Sequence, residues 1–211
     1  GSHAYIADYL TREVLNQQPE ELRRFLLQTS ILRRLSGPLC EAVTGQPDGQ
    51  WMLEALAEAN LFLIALDDER RWFRYHHLFA DLLGQRQRQE HGLETAVLHR
   101  RASAWFEANG YAGEAIRHAK KAQDYERVTD LIEATAETIL MRSEAATLLQ
   151  WLEGVPEAII RSRPLICIYQ ATARLWSQFS FEKVLARLDD AVQANQDGRF
   201  TGEILAFQAI I

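Results

Sequence analysis

Apolar residues recur at helical spacing through the N-terminal part of the chain. Ile6, Leu10 and Val14 lie four residues apart, which places them on one face of a helix. Pro19, a residue favoured in a first helical turn, opens the next apolar pattern, and Gly45 ends the third. The pattern predicts helices over residues 5–15, 19–31, 39–44 and 50–61.

Two short apolar segments then predict a β-hairpin. Residues 61–66 are apolar and partly β-branched, and residues 72–75 alternate aromatic side chains with Arg74. The polar residues 67–70 separate the two segments and favour a turn. A winged-helix fold has this order, in which helices are followed by a β-hairpin. The sequence therefore predicts a winged-helix module of three to four helices plus a β-hairpin.

A polar stretch after the hairpin indicates a module boundary. A helix is predicted from His76 to about residue 89, and residues 85–92 are the most polar of the chain, with Gly84 and Gly92 at their ends. Gly1-Ser2-His3 resembles the remnant of a cleaved tag. The predicted division is a tag remnant, a winged-helix domain and a helical arm, over residues 1–3, 4–90 and 91–211.

An internal repeat predicts paired helices in the arm. Residues 102–122 align without a gap with residues 171–191, a separation of two tetratricopeptide lengths of about 34 residues. We expect Trp105 and Tyr111 to fill the gap between paired helices, and small residues to allow close helix approach. Those small residues are Ala104, Ala115, Ala119 and Ala173. The fold class is therefore mainly α, with a tetratricopeptide-like solenoid after the winged helix; an irregular α-helical bundle is the alternative.

The charge of the chain argues against a nucleic-acid surface. It carries 23 basic and 29 acidic residues, a net charge of −6. The predicted helix over residues 50–61, which would be the recognition helix of a DNA-binding winged helix, contains Glu54 and Glu58 and no basic residue. Phosphate would repel that helix, so we expect no direct DNA binding by this chain.

Cysteine usage and hydropathy indicate an intracellular protein. Cys40 and Cys167 match no metal or disulfide spacing, so reduced, buried thiols are expected. No apolar run approaches the roughly 20 residues that a membrane span needs. No signal-peptide pattern precedes the first predicted helix. We therefore expect a cytoplasmic protein without membrane contact.

The chain shows no enzyme motif. No glycine precedes a lysine, so the phosphate-cradling Walker loop is absent. The histidines His76, His77, His91 and His99 lack the spacing of a zinc site. The sequence predicts neither catalytic nor metal-binding residues, and the chain by itself is not expected to be an enzyme.

Paired histidines follow the aromatic strand and open the next helix. A helix start gathers backbone N–H groups that favour an anion, so an imidazole there can share a phosphate site. The alternative for His76 and His77 is that one caps the helix through the backbone while the other is exposed. Arg74 has two interpretations as well, a phosphate contact or a surface arginine stacked on Trp72.

Residues 71–83, Arg-Trp-Phe-Arg-Tyr-His-His-Leu-Phe-Ala-Asp-Leu-Leu, resemble the winged-helix segment of MalT-like LuxR-type transcriptional regulators, bacterial members of the STAND class of switch ATPases. In that class a winged-helix histidine reaches the nucleotide of a neighbouring ATPase module. The motif is an aromatic residue or Met, then His, a variable residue and Leu. By resemblance, His76 is the nucleotide-sensing residue, His77 occupies the variable place, and Arg74 is a further candidate contact.

The resemblance implies that the chain is an inner piece of an ATP-dependent transcriptional activator. ATP or ADP would be the cofactor of the full-length protein, with none in this piece. Its partners would be an N-terminal ATPase module and C-terminal sensor and DNA-binding modules of the same chain, and the arm would relay inducer binding or mediate protein interaction. A free-standing tetratricopeptide-type adaptor for protein or peptide partners, with no nucleotide role, is the alternative.

The last residues of the sequence continue an apolar pattern without a polar capping helix. We expect this edge of the arm to be exposed and to promote self-association. Its apolar residues are Ile204, Leu205, Phe207 and Ile210.

Overall fold

The computed structural model describes residues 14–178 and 181–209. It is mainly helical, with a two-stranded antiparallel sheet, as the sequence predicts. The helix expected over residues 5–15 lies outside the described residues except for Val14 and Leu15, which are both buried. The contacts divide the chain into two compact units, one ending at Trp105 and the other beginning at Phe106.

The first unit has the predicted winged-helix order of helices followed by a hairpin. The helices expected over 19–31, 39–44 and 50–61 and the strands expected over 61–66 and 72–75 are all present within a few residues. The elements are α1 Glu20–Thr29, α2 Gly37–Thr44, α3 Gly49–Glu58, β1 Leu63–Ala65, β2 Phe73–Tyr75 and α4 His77–Ala108.

Two glycines allow α2 and α3 to begin in contact. A Cβ atom on Gly49 would lie 2.5 Å from the carbonyl oxygen of Gly37, and one on Gly37 would lie 2.7 Å from Cβ of Gln50. Both distances are shorter than van der Waals contact, so any side chain at either position would push the two helix starts apart. Gly45 ends α2 with a φ of 73°, in the left-handed region that glycine adopts without strain.

The hairpin presents one face to the core of the first unit. Phe73 and Tyr75 are buried whereas Arg74 between them is exposed, which is the alternation expected of a strand. Leu35 forms an additional bridge to Phe73 through two backbone hydrogen bonds of 2.8 Å. The hydroxyl groups of Tyr75 and Thr29 lie 2.7 Å apart inside the core. The largest fully buried side chains include Phe25, Leu26, Leu35, Leu39, Leu53, Leu56, Phe73, Phe79 and Leu83.

Helix α4 is longer than the sequence indicates. It was expected to end near residue 89, in a polar stretch interpreted as the module boundary, but it continues to Ala108. Gln, Arg and Glu favour a helix almost as strongly as Ala, and a single Gly costs only about 1 kcal/mol. The polar composition is therefore that of an exposed helix, in which Gln85 and Arg88 face solvent. A 2.6 Å ion pair between Arg23 and Glu90 joins this stretch to α1.

The second unit contains consecutive helices that pack against one another. The intermediate unit of the predicted repeat corresponds to α6 and α7, and the matched segments correspond to the end of α4 with α5 and to α9 with α10. After α4, the elements are α5 Ala112–Lys121, α6 Tyr125–Met141, α7 Ala145–Leu152, α8 Glu157–Arg161, α9 Pro164–Gln178, α10 Phe181–Ala194 and α11 Thr201–Gln208.

Burial agrees at the core positions of the repeat but differs in two matched pairs. Ala115 and Val184, which align, are both buried, and so are Ala102 with Ala171 and Ala119 with Leu188. Ala104 is exposed although its counterpart Ala173 is buried. Leu185 is 52% exposed although its counterpart Ile116 is buried. The buried face of the helix pair is therefore largely repeated, but the second copy exposes Leu185 at a position where the first copy buries its apolar side chain.

The prediction of a helix contact was wrong for one of the four small residues. Ala104 is exposed, while its neighbours Ala102 and Ser103 are buried, because each residue rotates the side chain by about 100° around a helix. Ala115, Ala119 and Ala173 are buried, as expected. Of the two aromatic residues, Trp105 lies edge-on to Trp72 of the hairpin turn, with ring centroids 6.3 Å apart, and Tyr111 lies edge-on to Phe106 at 6.0 Å.

The expected apolar edge at the end of the arm is partly covered. Ile204 and Phe207 are buried, whereas Leu205 is exposed and Ile210 lies outside the described residues. Phe207 packs against a buried cluster on α9 and α10. The expectation that all four residues form an open edge was wrong, because α11 turns its apolar face toward the preceding helices. No helix in the described part of the chain is long and apolar enough to cross a membrane.

Candidate functional site

His76 connects the hairpin to helix α4, and hydrogen bonds fix its backbone on both sides. Its N–H donates to the carbonyl oxygen of Phe62, at 2.7 Å. Its own carbonyl oxygen accepts from the N–H groups of Phe79 and Ala80, each at 2.9 Å. The residue therefore ends the hairpin and accepts the first helical hydrogen bonds, so its position is set by both elements.

The imidazole of His76 is half-buried and unbonded. Its ring lies 6.4 Å from the ring of Phe62, in an edge orientation, and 4.3 Å from the ring of His77. Nδ1 is buried without a hydrogen-bond partner among the described residues. An unsatisfied buried polar atom costs about 1–3 kcal/mol. A histidine that served only as a helix cap would bond a backbone group, which this ring does not do within the described chain.

His77 differs from His76 in its surroundings. It is the first residue of α4 and is exposed to solvent. Because the N–H groups of Phe79 and Ala80 donate to His76, those of His77 and Leu78 are the ones in the first turn that can meet an anion, and the helix dipole adds a partial positive charge there. A phosphate oxygen approaching this turn would meet those N–H groups beside the rings of both histidines.

Arg74 does not form the predicted stack on Trp72. The guanidinium over the Trp72 ring belongs to Arg34, with Cζ at 4.5 Å from the ring centroid. Arg74 lies opposite Ile64 in the hairpin register and is exposed. The stacking interpretation was therefore wrong for Arg74, and its alternative role as a phosphate contact stays a prediction.

Two contacts of the hairpin region, one made by Phe62 and one by Arg34, were not predicted from the sequence. Phe62 has a φ of 55°, which is rare for a bulky side chain, and it contacts His76 through both its backbone and its ring. Its ring also lies 5.5 Å from that of Phe79. Arg34 reaches Trp72 across the fold. Neither feature can be recognised from neighbouring residues in the sequence. The Phe62 contact depends on a backbone conformation, and the Arg34 contact joins residues that are distant in sequence.

The remaining expectations for chemistry concern α3 and the cysteines. Glu54 and Glu58 are exposed on α3, beside a Trp51 that is 64% exposed. Cys40 and Cys167 are buried and unpaired, as expected. Within residues 14–178 and 181–209, no group of three or more His, Cys, Asp or Glu side chains could hold a metal ion.

Residues 11–95 match the family model described as the MalT winged helix domain. These residues belong to the MalT winged-helix family. The match covers helices α1 to α3, the hairpin and the start of α4, and therefore contains the whole candidate site.

The similarity to MalT continues beyond the winged helix into the arm. The HTH-type transcriptional regulator MalT of Cronobacter sakazakii is 34% identical over 98% of this chain, and MalT of Yersinia enterocolitica is 37% identical over 92%. The serine/threonine-protein kinase PknK of Mycobacterium tuberculosis is 36% identical over 92% of the chain. The chain spans 23%, 21% and 19% of the length of these relatives, respectively.

Proposed function

We propose that this chain is a regulatory region of a signal-responsive, ATP-dependent transcriptional activator of the MalT type. The winged helix senses the nucleotide state of an ATPase module, and the helical arm relays inducer binding or mediates protein interaction. The chain contributes no reaction of its own and works in the cytoplasm. The observation that carries the proposal is the unbonded imidazole of His76 at the start of α4, inside a MalT winged-helix domain.

The proposed contact is a hydrogen bond from His76 to a diphosphate oxygen of ADP. A neutral imidazole has one N–H to donate, and the neighbouring first-turn N–H groups favour the same anion. A hydrogen bond to a charged group contributes about 1.5–3 kcal/mol. If it forms only in the ADP-bound closed state, it shifts the equilibrium between two states by about 10- to 150-fold.

A free-standing adaptor remains the competing function, and the comparisons do not favour it. The similarity to MalT covers the winged helix and the arm together, whereas an adaptor would need only the helical repeats. The coding sequence around this region discriminates the two. A Walker motif in a domain upstream of the winged helix supports the regulator, and its absence supports the adaptor.

Replacing each histidine in the protein that carries the ATPase module tests the proposal. His76→Ala should remove a contact made only in the closed state, so transcription from a reporter should require less inducer, and ADP should dissociate faster. His77→Ala is the matched control and should change both quantities much less, since His77 occupies the variable place. The 211-residue chain alone lacks a Walker loop, so titration of it with ADP should give no micromolar binding.

A purely structural role for His76 gives a different result. Loss of a helix cap costs about 0.5–2 kcal/mol, so His76→Ala would then lower the melting temperature of the 211-residue chain and leave the inducer requirement unchanged. Measuring reporter output and thermal melting for both variants separates the two roles. That second pattern would reject the nucleotide-sensing assignment.

A further inference from the structure

The helical arm contains a cleft that is separate from the histidine site. It lies between α7, the start of α8 and α9, and its volume is about 510 Å³. Cavities of this size commonly hold small organic ligands. The apolar part of its lining includes Leu149, Leu152, Val155 and Ile160, and the polar part includes Gln170 and Arg174.

Gln170 is buried in the wall of this cleft, and the oxygen of its side-chain amide is unbonded. The residue is only 6% exposed, and its Oε1 has no hydrogen-bond partner in the described part of the chain. Buried side-chain oxygens are nearly always bonded, so a lone acceptor in a cavity wall indicates a donor that is brought by something else.

Arg174 lines the same cleft one helical turn further along α9. Its guanidinium is half-buried and forms no ion pair or hydrogen bond with the described residues. Burial lowers the pKa of Arg174, the positive charge of Arg187 lowers it further, and the negative charge of Glu157 raises it in part. A cation in this position gains free energy from an anion that shares its partly dry surroundings.

The acidic residues nearest to Arg174 are already engaged by other arginines. The Glu157 carboxylate accepts from Arg187 at 2.7 Å and from Arg161 at 3.2 Å, and these contacts lower the pKa of Glu157. Glu153 is exposed at the rim, where water and salt screen its charge. Arg174 therefore forms no ion pair of its own in the described part of the chain, although the Glu157 carboxylate acts on it from a distance.

Lys120 binds backbone carbonyl groups that could otherwise interact with Arg174. Its ammonium group donates to the backbone carbonyl oxygens of Gln150, Trp151 and Glu153 at the end of α7. Those carbonyls would otherwise place negative partial charge at the edge of the cleft. The cleft thus offers one cation without an ion pair, one unpaired acceptor and an aliphatic surface, with the carboxylates of Glu153 and Glu157 at its border.

We propose that this cleft binds a small organic carboxylate that has an N–H donor next to the carboxylate and a short aliphatic group. The carboxylate pairs with Arg174, and the aliphatic group contacts Leu149, Val155 and Ile160. The N–H donates to Oε1 of Gln170, which is shielded from solvent in the free protein and reaches the ligand by rotation of the Gln170 amide. An N-acylated amino acid has this chemistry, and so does the C-terminal residue of a peptide. The inference does not depend on the role of His76.

Titration of the 211-residue chain with N-acetyl-leucine tests the proposal, with two-dimensional NMR or calorimetry as the measurement. N-acetyl-leucinamide, which lacks the carboxylate, should bind at least tenfold more weakly. The peptide Ala-Ala-Leu with a free C-terminus distinguishes the source: tighter binding than N-acetyl-leucine indicates a peptide terminus, and equal or weaker binding indicates a small molecule. Failure of both carboxylates to bind below about 10 mM would overturn the proposal.

Three substitutions locate the binding site. Arg174→Met should weaken binding of N-acetyl-leucine at least tenfold, whereas Arg142→Met, at an exposed arginine of the same unit, should leave it unchanged. Gln170→Leu keeps the side-chain volume and removes the unbonded amide, so it should weaken binding while the melting temperature stays equal or rises. Equal binding by the Arg174 and Arg142 variants would reject the assignment, and melting curves verify that each variant is folded.

Discussion

At the scale of single residues, both candidate sites depend on polar atoms that the fold buries without bonding. One is Nδ1 of His76, the residue directly before helix α4, and the other is Oε1 of Gln170 in the wall of the arm cleft. Each such atom costs about 1–3 kcal/mol that a bonded or apolar side chain would not. These residues reduce stability in the free protein, and a ligand atom that bonds them recovers that free energy.

The two buried thiols predict how stability responds to alkaline pH. Burial raises the pKa of Cys167 from 9.0 to about 11, and burial raises the pKa of Cys40 as well. Above pH 9 the unfolded chain loses these protons while the folded chain keeps them. The unfolded state therefore binds fewer protons, and the free energy of unfolding must fall as pH rises from about 9 toward 11.

Urea unfolding at about pH 8, 9 and 10 measures this effect. One thiol contributes at most about 1.4 kcal/mol per pH unit. Cys167→Ala should therefore show a shallower loss of stability over this range than the unchanged chain, whatever its stability at neutral pH. Parallel curves for the two proteins would mean that the Cys167 thiol ionises equally in both states.

The sequence identified His76 as a candidate site residue but did not predict its surroundings. Its place followed from an aromatic strand that runs directly into an apolar helical pattern, which is a local signal. The cation over Trp72 was assigned to Arg74 because it is near in sequence, and the fold uses Arg34 instead. The arm cleft was not predicted at all, because Gln170 and Arg174 acquire their environment only when α7, α8 and α9 pack together.

At the scale of elements, the hairpin could be predicted and the end of α4 could not. The hairpin combines two β-favouring segments with a turn whose Asp67 carboxylate accepts from the N–H groups of Arg71 and Trp72. Both features are visible in the residues themselves. The polar stretch of α4 has the same composition as a linker, and only its continuation into the next apolar pattern distinguishes the two.

Proline substitution tests the continuity of α4. Glu94→Pro, compared with Glu94→Ala, would remove one backbone hydrogen bond and create a clash in the preceding turn, which costs about 3 kcal/mol or more in a helix interior. Gly84→Ala should instead stabilise the chain by up to about 1 kcal/mol, because its Cβ would meet only the Arg88 side chain, at 3.5 Å. Urea unfolding measures both changes. If a linker over residues 85–92 separated two helices, Glu94 would lie in the first turn of the second helix, and Glu94→Pro would be tolerated without loss.

At the scale of the whole molecule, the chain resembles MalT over both units but carries only about a fifth of such a protein. Its net charge of −6 is a property of the whole chain that bears on function directly. Counterion release from phosphate contacts supplies most of non-specific DNA affinity, and an acidic surface releases few counterions. We therefore expect the winged helix not to bind DNA, and its proposed role is a contact to a nucleotide-binding module.

Charge reversal on α3 tests this conclusion. Glu54 and Glu58 are exposed on the helix that would be the recognition helix, so phosphate meets carboxylates there first. The unchanged chain should not retard a DNA duplex at about 0.15 M salt in a mobility-shift assay. Glu54→Lys with Glu58→Lys should create weak binding that disappears as salt rises, with a slope set by the added phosphate contacts. Salt-resistant, sequence-selective binding by the unchanged chain would instead show that this winged helix reads DNA itself.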